Sequence, residues 1–211
     1  MGGICFHVIN RGNRHGEVFL DDTDYAQFMD LVAKASERTA MRVLAYCLMP
    51  NHFHFVLWPR NDGDLSRWMH WLLTSHVRRH HLRYGTDGRV WQGRFKAFPI
   101  QQDEHLLTVM RYVERNPLRG ALVKKAEDWK WSSLSHCAAG DPPGFLHESP
   151  VPRYTEWARF VNEPQTSAEL EALRNGANHE IPYGDMTWVC ATAKRLGLTS
   201  GLRGRGRYPS G

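Results

Sequence analysis

His52 and His54 flank one bulky hydrophobe, Phe53, in the stretch Met49-Pro50-Asn51-His52-Phe53-His54-Phe55-Val56-Leu57. The segments on either side are rich in strand formers, and Pro50-Asn51 is a turn signal. The stretch reads as a strand, a tight connection and a second strand that opens on the histidines. Side chains alternate along a strand, so His52 and His54 point one way and Phe53 the other. Two neutral imidazoles on one pleated face form a chelate for a divalent metal. Taken alone, His-x-His is more often a pair of surface histidines on a half-exposed strand. A second constellation is Tyr112 with Asn116, in Arg111-Tyr112-Val113-Glu114-Arg115-Asn116-Pro117. On a helix this spacing puts both residues on one face. A tyrosine can attack phosphorus if its phenolate is stabilised, for example by a nearby cation. An asparagine amide oxygen is a hard ligand for Mg²⁺ or Mn²⁺ and could complete a site with the two histidines. Tyr-x-x-x-Asn by itself carries little, since most such tyrosines are half-buried packing residues.

The elements that must position these residues follow from pattern. Ile4 to Arg11 alternates as a strand. Arg11-Gly12-Asn13-Arg14-His15-Gly16 is a basic loop suited to close backbone approach by a ligand. Asp21, Asp22 and Thr23 offer N-caps for a helix from about Asp24 to Thr39, whose apolar face carries Tyr25, Phe28, Met29, Val32 and Ala33. A longer helix from about Leu65 to Tyr84 has Leu65, Trp68, Met69, Leu72, Leu73 and Val77 on one side, with Arg67, Arg78, Arg79 and Arg83 away from that core or near its edge. Val90 to Ile100 reads as a strand with Arg94 and Lys96 on one face. Asp103 caps a helix to about Asn116, stopped by Pro117. The order β-α-β-β-α-β-α predicts an α+β, ferredoxin-like split βαβ fold. Its four-stranded antiparallel sheet is backed by helices, with the histidines on a central strand pair. Beyond Lys124, Trp129-Lys130-Trp131-Ser132-Ser133 reads as a short docked helix and 138–152 as loop. Helices are expected over Tyr154 to Val161, Ser167 to Arg174 and Trp188 to Leu196. The expected division is a domain over 1–135, a helical extension over 136–197 and a basic, flexible tail over 198–211.

Composition narrows the chemistry. The chain has 211 residues, the size of one large domain or of one domain plus an appendage, and 42% of them are hydrophobic, enough for a packed core. No apolar run is long enough to cross a membrane, and the N-terminus lacks the basic start and apolar core of a signal peptide. Phe6 also stands where a myristoylation pattern needs Ser or Thr. Four cysteines without a Cys-x-x-Cys pair argue against a structural zinc site and fit a reducing cytoplasm. The formal charge is +5, but it is uneven: seven Arg or Lys face one acid between Arg67 and Lys96, and no acid follows Asp185. Two basic stretches suggest a polyanion partner, most simply nucleic acid, as against solvated charged faces on a basic soluble protein.

Together the motifs resemble a known family. Asp21-Asp22-Thr23-Asp24-Tyr25, Tyr46-Cys47-Leu48-Met49-Pro50-Asn51-His52-Phe53-His54, Val90-Trp91-Gln92-Gly93-Arg94-Phe95 and Tyr112-Val113-Glu114-Arg115-Asn116-Pro117-Leu118-Arg119 are similar to those of the REP-associated tyrosine transposases, single-tyrosine members of the HUH nucleases. The opening His7-Val8-Ile9-Asn10-Arg11-Gly12-Asn13-Arg14 fits the same family. The resemblance covers residues 4–135 and returns near Trp188 and Leu196-Gly197-Leu198. It implies that His52, His54 and Asn116 bind Mg²⁺ or Mn²⁺, which polarises a scissile phosphate in single-stranded DNA. Tyr112 would attack that phosphate, giving a 5′-phosphotyrosine and a free 3′-hydroxyl, and a second 3′-hydroxyl would reverse the step. The implied substrates are hairpin-forming repetitive extragenic palindromes. Candidate DNA contacts, mainly to phosphate, are Arg11, Asn13, Arg14, Arg78, Arg79, Arg83, Arg94 and Lys96, with Arg203, Arg205 and Arg207 in the tail. The chain departs from the family where Gly-Arg-Pro often precedes a glycine, having Ile181-Pro182-Tyr183-Gly184, and at its end, with Arg205-Gly206-Arg207-Tyr208-Pro209. Those departures bear on how the tail meets DNA rather than on catalysis.

Two rival readings stay open on sequence alone. One is a hairpin-binding protein that does not cleave; the other is a phosphodiesterase that uses water instead of Tyr112. A cytoplasmic, nucleoid-associated monomer is favoured over a dimer.

Overall fold

In the computed structural model, which describes residues 2–179 and 181–199, the sheet is built outward from β1 (Cys5–Arg11). It lies between β3 (His52–Pro59) and β4 (Lys96–Ile100), and β2 (Met41–Met49) completes the order β2-β3-β1-β4 with every pair antiparallel. Strict alternation decides what each face carries. Phe6, Val8, Phe53, Phe55 and Leu57 face one side, where α1 (Asp22–Arg38) and α2 (Asp64–Tyr84) pack through Phe28, Leu31, Trp68 and Leu72. Cys5, Val56 and Ile100 face the other, against Leu106, Met110 and Val113 of α3 (Glu104–Glu114). His7, His52 and His54 share the parity of this second face. The predicted ferredoxin-like α+β fold is what forms, and helix α1 starts where Asp21 accepts from the Thr23 and Asp24 amides.

Sequence alternation misleads at one place in β2. Leu44 and Ala45 both turn toward α3, because the register with β3 slips between Val43 and Ala45. That bulge restores Tyr46 and Leu48 to the α1/α2 side, where they are fully buried. Pro50-Asn51 is the two-residue connection between Met49 and His52. Its carbonyls are held by the loop after β1: Val18 and Phe19 amides donate to Pro50, and the Gly12 amide donates to Asn51. A Cβ on Gly12 would sit 2.2 Å from the Gly16 carbonyl oxygen. The close approach this glycine permits is therefore to the chain's own backbone, rather than to a ligand.

Other expectations need correction. The strand predicted from Val90 begins only at Lys96. Val90 and Trp91 turn into the α1/α2 core, and the Gln92 amide caps the Arg11 carbonyl at 2.8 Å. Burial of the tryptophan outweighs continuation of the ladder. Helix α3 stops at Glu114, and a separate turn, α4 (Asn116–Arg119), follows with Pro117 in its first turn, where a missing N–H costs nothing. The segment Trp129–Ser132 is not a helix; only Ser133 of the predicted stretch is helical. The Leu48 amide bonds the Trp131 carbonyl and Trp129 Nε1 donates to the Leu48 carbonyl, so this segment covers the exposed edge of β2. The helix is α5 (Ser133–Ala138), capped by the Ser132 hydroxyl. Then come α6 (Trp157–Asn162), α7 (Ser167–His179) and α8 (Met186–Leu196). Arg111 donates to the Glu163 and Pro164 carbonyls and Arg115 to Val161, tying α3 to the end of α6. The fully buried Glu114 accepts from Ser133 and from Trp157 Nε1, so the extension is anchored on the helix that carries Tyr112. Among the described residues no helix is long and apolar enough to cross a membrane. Arg203, Arg205 and Arg207 lie outside the described residues.

Candidate active site

β3 points His52 and His54 at α3, while Phe53 goes into the opposite core. The two rings stand 5.0 Å apart, nearly perpendicular. Asn51 Oδ1 lies 2.6 Å from His52 Nδ1, and the Asn51 amide donates to the His15 carbonyl, which fixes which end of the amide faces His52. An amide oxygen only accepts, so His52 carries its proton on Nδ1 and keeps a lone pair on Nε2. His54, 2% exposed, has its Nδ1 2.8 Å from Nε2 of His7 on β1, and the two rings meet edge to edge, nearly coplanar, with centres 5.1 Å apart. Burial, more than any other cause, holds these imidazoles neutral. His52 is pushed down to about 4, with Arg11 and Arg119 adding repulsion. His7 falls to about 3 by burial and by Arg119, and His54 lies well below the usual range by burial, then by His52 and His7. A neutral imidazole is the form that binds a metal.

Tyr112 comes from the last turn of α3. Its ring meets His54 edge-on at 5.8 Å and His7 at 5.9 Å. The Arg119 guanidinium lies 4.2 Å from the centre of the same ring. Asn116 donates to the Tyr112 carbonyl at 3.0 Å and the Val113 carbonyl at 3.4 Å, covering the acceptor that Pro117 has no N–H to meet. This turns the Asn116 amide oxygen outward, where it accepts from Arg119. His52, His54, Tyr112, Asn116 and Arg119 all line one cavity of about 570 Å³, whose rim carries Arg11, Arg94, Lys96 and Arg174. Two fixed imidazoles and an outward amide oxygen are a donor set that fits a hard divalent cation, with Arg119 sharing or yielding the Asn116 oxygen. Two other tyrosines are engaged elsewhere: Tyr46 with His136 at 2.7 Å and Tyr84 with Asp24 at 2.7 Å. Tyr208 lies outside the described residues.

A family model described as "Transposase IS200 like" matches residues 2–116, more than half of the chain. The chain belongs to the IS200-like transposase family. Among its relatives is a REP-associated tyrosine transposase of Escherichia coli, 24% identical over 136 residues, covering 63% of this chain and 77% of that one. A Haemophilus influenzae relative described as a "Putative REP-associated tyrosine transposase" is 26% identical over 145 residues, covering 63% of this chain and 80% of that one. The fold is similar to the solved structure of a REP-associated tyrosine transposase bound to a REP hairpin, with a TM-score of 0.53, 21% identity and coverage of 79% of this chain and 94% of that one. Transposases of this family cleave and rejoin DNA, so the protein is an enzyme of that type.

The transposase pocket gathers some predicted residues and not others. Arg11, Arg94 and Lys96 stand at its rim with the histidines, Tyr112 and Asn116. Asn13 and Arg14 occupy an exposed 3₁₀ turn outside it. Arg78 lines a shallow cleft beside Arg89. Arg79 pairs with Asp30 at 2.8 Å, and Arg83 pairs with Asp24 at 2.9 Å and with Asp21, so both are held against α1 across the sheet from the pocket. Sequence reasoning passed over His7, Asn51, Arg119 and Arg174. Arg119 stands three residues after Asn116, a helical spacing that could have flagged it. Nothing local marks Arg174, which reaches the pocket from α7.

Proposed function

We propose that this transposase is a metal-dependent single-stranded DNA endonuclease and strand transferase acting at hairpin-forming repetitive extragenic palindromes through a 5′-phosphotyrosine on Tyr112. One observation carries the reading: a tyrosine and a neutral histidine pair from different elements face one basic-rimmed cavity. The hairpin named with the related structure and the names of the curated relatives support the substrate class. His52 and His54 would hold Mg²⁺ or Mn²⁺ with the Asn116 oxygen. When bound, the ion supplies Lewis-acid polarisation of the scissile phosphate. Arg119 packs on Tyr112 and orients its ring, while Arg11, Arg94 and Lys96 hold the flanking phosphates. Tyr112 Oη forms a bond to phosphorus as the bond to the 3′-oxygen breaks, leaving a 3′-hydroxyl. The same geometry run backwards, with the 3′-hydroxyl of another strand, rejoins DNA. The working form proposed is a monomer.

Incubating the protein with hairpin DNA and Mn²⁺ and resolving the products on a denaturing gel tests this. A covalent adduct lost in Tyr112→Phe, with hairpin affinity held within a few-fold, is expected. Binding without adduct would favour a hairpin-binding protein that does not cleave. Undiminished cleavage by the variant would favour water as the nucleophile.

A further inference from the structure

Each histidine of the pair has its Nδ1 held by a different residue. For His52 that residue is Asn51, and the acceptor oxygen leaves only one tautomer. For His54 it is His7, from the neighbouring central strand, at 2.8 Å. His7 is 4% exposed, lies nearly coplanar with His54 at an interplanar angle of 20°, as an in-plane hydrogen bond requires, and also meets Tyr112 edge-on at 5.9 Å. An apolar side chain would fill this space between Phe98 and Tyr112 equally well, and would leave the His54 nitrogen buried without a partner. The imidazole is thus placed by its nitrogen and not only by its volume.

We propose that His7 is a positioning residue: its Nε2 accepts the His54 Nδ1 proton, which fixes the His54 ring and leaves the His54 Nε2 lone pair facing the cavity. The opposite arrangement, with His7 donating, would put the proton of His54 on Nε2 and remove that atom as a ligand. Outer partners of this kind orient ligating histidines in metal sites generally. The inference rests on the metal-binding reading above, and the test separates the two.

The tautomer of His54 is read by long-range ¹⁵N–¹H correlation spectra of the histidine rings in the full-length, metal-free protein. Mn²⁺ affinity is read from the electron paramagnetic resonance signal of the free ion. His7→Gln places an amide group near the Nε2 position and keeps an acceptor; His7→Phe keeps the ring and removes it. The expected result is an Nδ1-protonated His54 in the unsubstituted protein and in His7→Gln, and a mixture of tautomers in His7→Phe. Mn²⁺ binding should weaken about 10- to 100-fold in His7→Phe and stay within about 3-fold in His7→Gln. Thermal unfolding of all three proteins checks that they remain folded. An Nε2-protonated His54 in the unsubstituted protein overturns the proposal, as does unchanged tautomer and unchanged Mn²⁺ affinity in His7→Phe. A tautomer shift in His7→Phe without Mn²⁺ binding by any of the three proteins upholds the role of His7 and refutes the metal reading instead.

Discussion

Acidification from pH 7 to pH 5 should destabilise the metal-free protein far more than its surface charges would suggest. His7, His54 and His76 are buried and held below their ordinary range, His7 and His76 at about 3, and the partly exposed His52 at about 4. In the unfolded chain each titrates near 6.5. Between pH 7 and pH 5 the unfolded state therefore takes up protons that the folded state refuses, and stability must fall as pH falls. One imidazole that stays neutral in the folded state contributes a loss of about 2 kcal/mol over this interval. Three deeply buried ones give about 6 kcal/mol as an upper figure, comparable with the whole stability of many domains. The carboxylates held low, Asp30, Asp64 and Asp185, add nothing until the pH approaches their ordinary value of 3.8. Urea unfolding in EDTA at pH 7, 6 and 5 measures the slope. His76→Leu, which removes the imidazole on α2 across the sheet from the pocket, should flatten it by about one proton's worth, about 1.4 kcal/mol per pH unit. A stability that stays level from pH 7 to pH 5 would refute the claim that these rings are buried neutral.

Further expectations concern DNA and metal. His52→Ala and His54→Ala should each lose cleavage, and excess EDTA should mimic them; full activity in EDTA would rule out the metal-dependent reading. Arg94→Ala or Lys96→Ala should weaken hairpin binding, whereas Arg79→Ala, whose guanidinium is paired with Asp30, should leave it within about 2-fold; filter-binding affinities at fixed salt compare them. Deleting Leu202 to Gly211 should flatten the dependence of log K on log salt by up to about one unit for each phosphate the tail would otherwise neutralise, while the single-turnover cleavage rate is unchanged. A raised rate in the truncated protein would point to an inhibitory tail instead.

Much of the fold was legible because alternation and capping are local. Phe53 against His52 and His54, Asp21 and Asp103 as caps, and Gly197 as a left-handed stop each act within a few residues of themselves. What was not legible depends on partners far along the chain. The bulge at Leu44 reflects two cores competing for one strand, and the late start of β4 reflects Trp91 sinking into the other core. Trp129 to Ser132 carries helix-compatible residues but is not helical, because the edge of β2 needs covering. The candidate site divides the same way. Its histidine pair and its Tyr112–Asn116 spacing are visible as motifs, whereas His7 reaches His54 only through the β1–β3 register, which sets Ile9 opposite His54. The arginines of α2 were indistinguishable in sequence from those at the pocket rim, since nothing local records that Asp21, Asp24 and Asp30 face Arg79 and Arg83.

In the proposed reaction Tyr112 becomes joined to the 5′ end of cleaved DNA. Trapping the protein on hairpin DNA with Mn²⁺, digesting protein and DNA, and sequencing the modified peptide by mass spectrometry addresses it directly. One nucleotide-bearing peptide is expected, Tyr112 to Arg115, modified on Tyr112, together with a cleaved partner strand ending in a 3′-hydroxyl. A nucleotide on any other residue, or cleavage that leaves no residue modified, would contradict it.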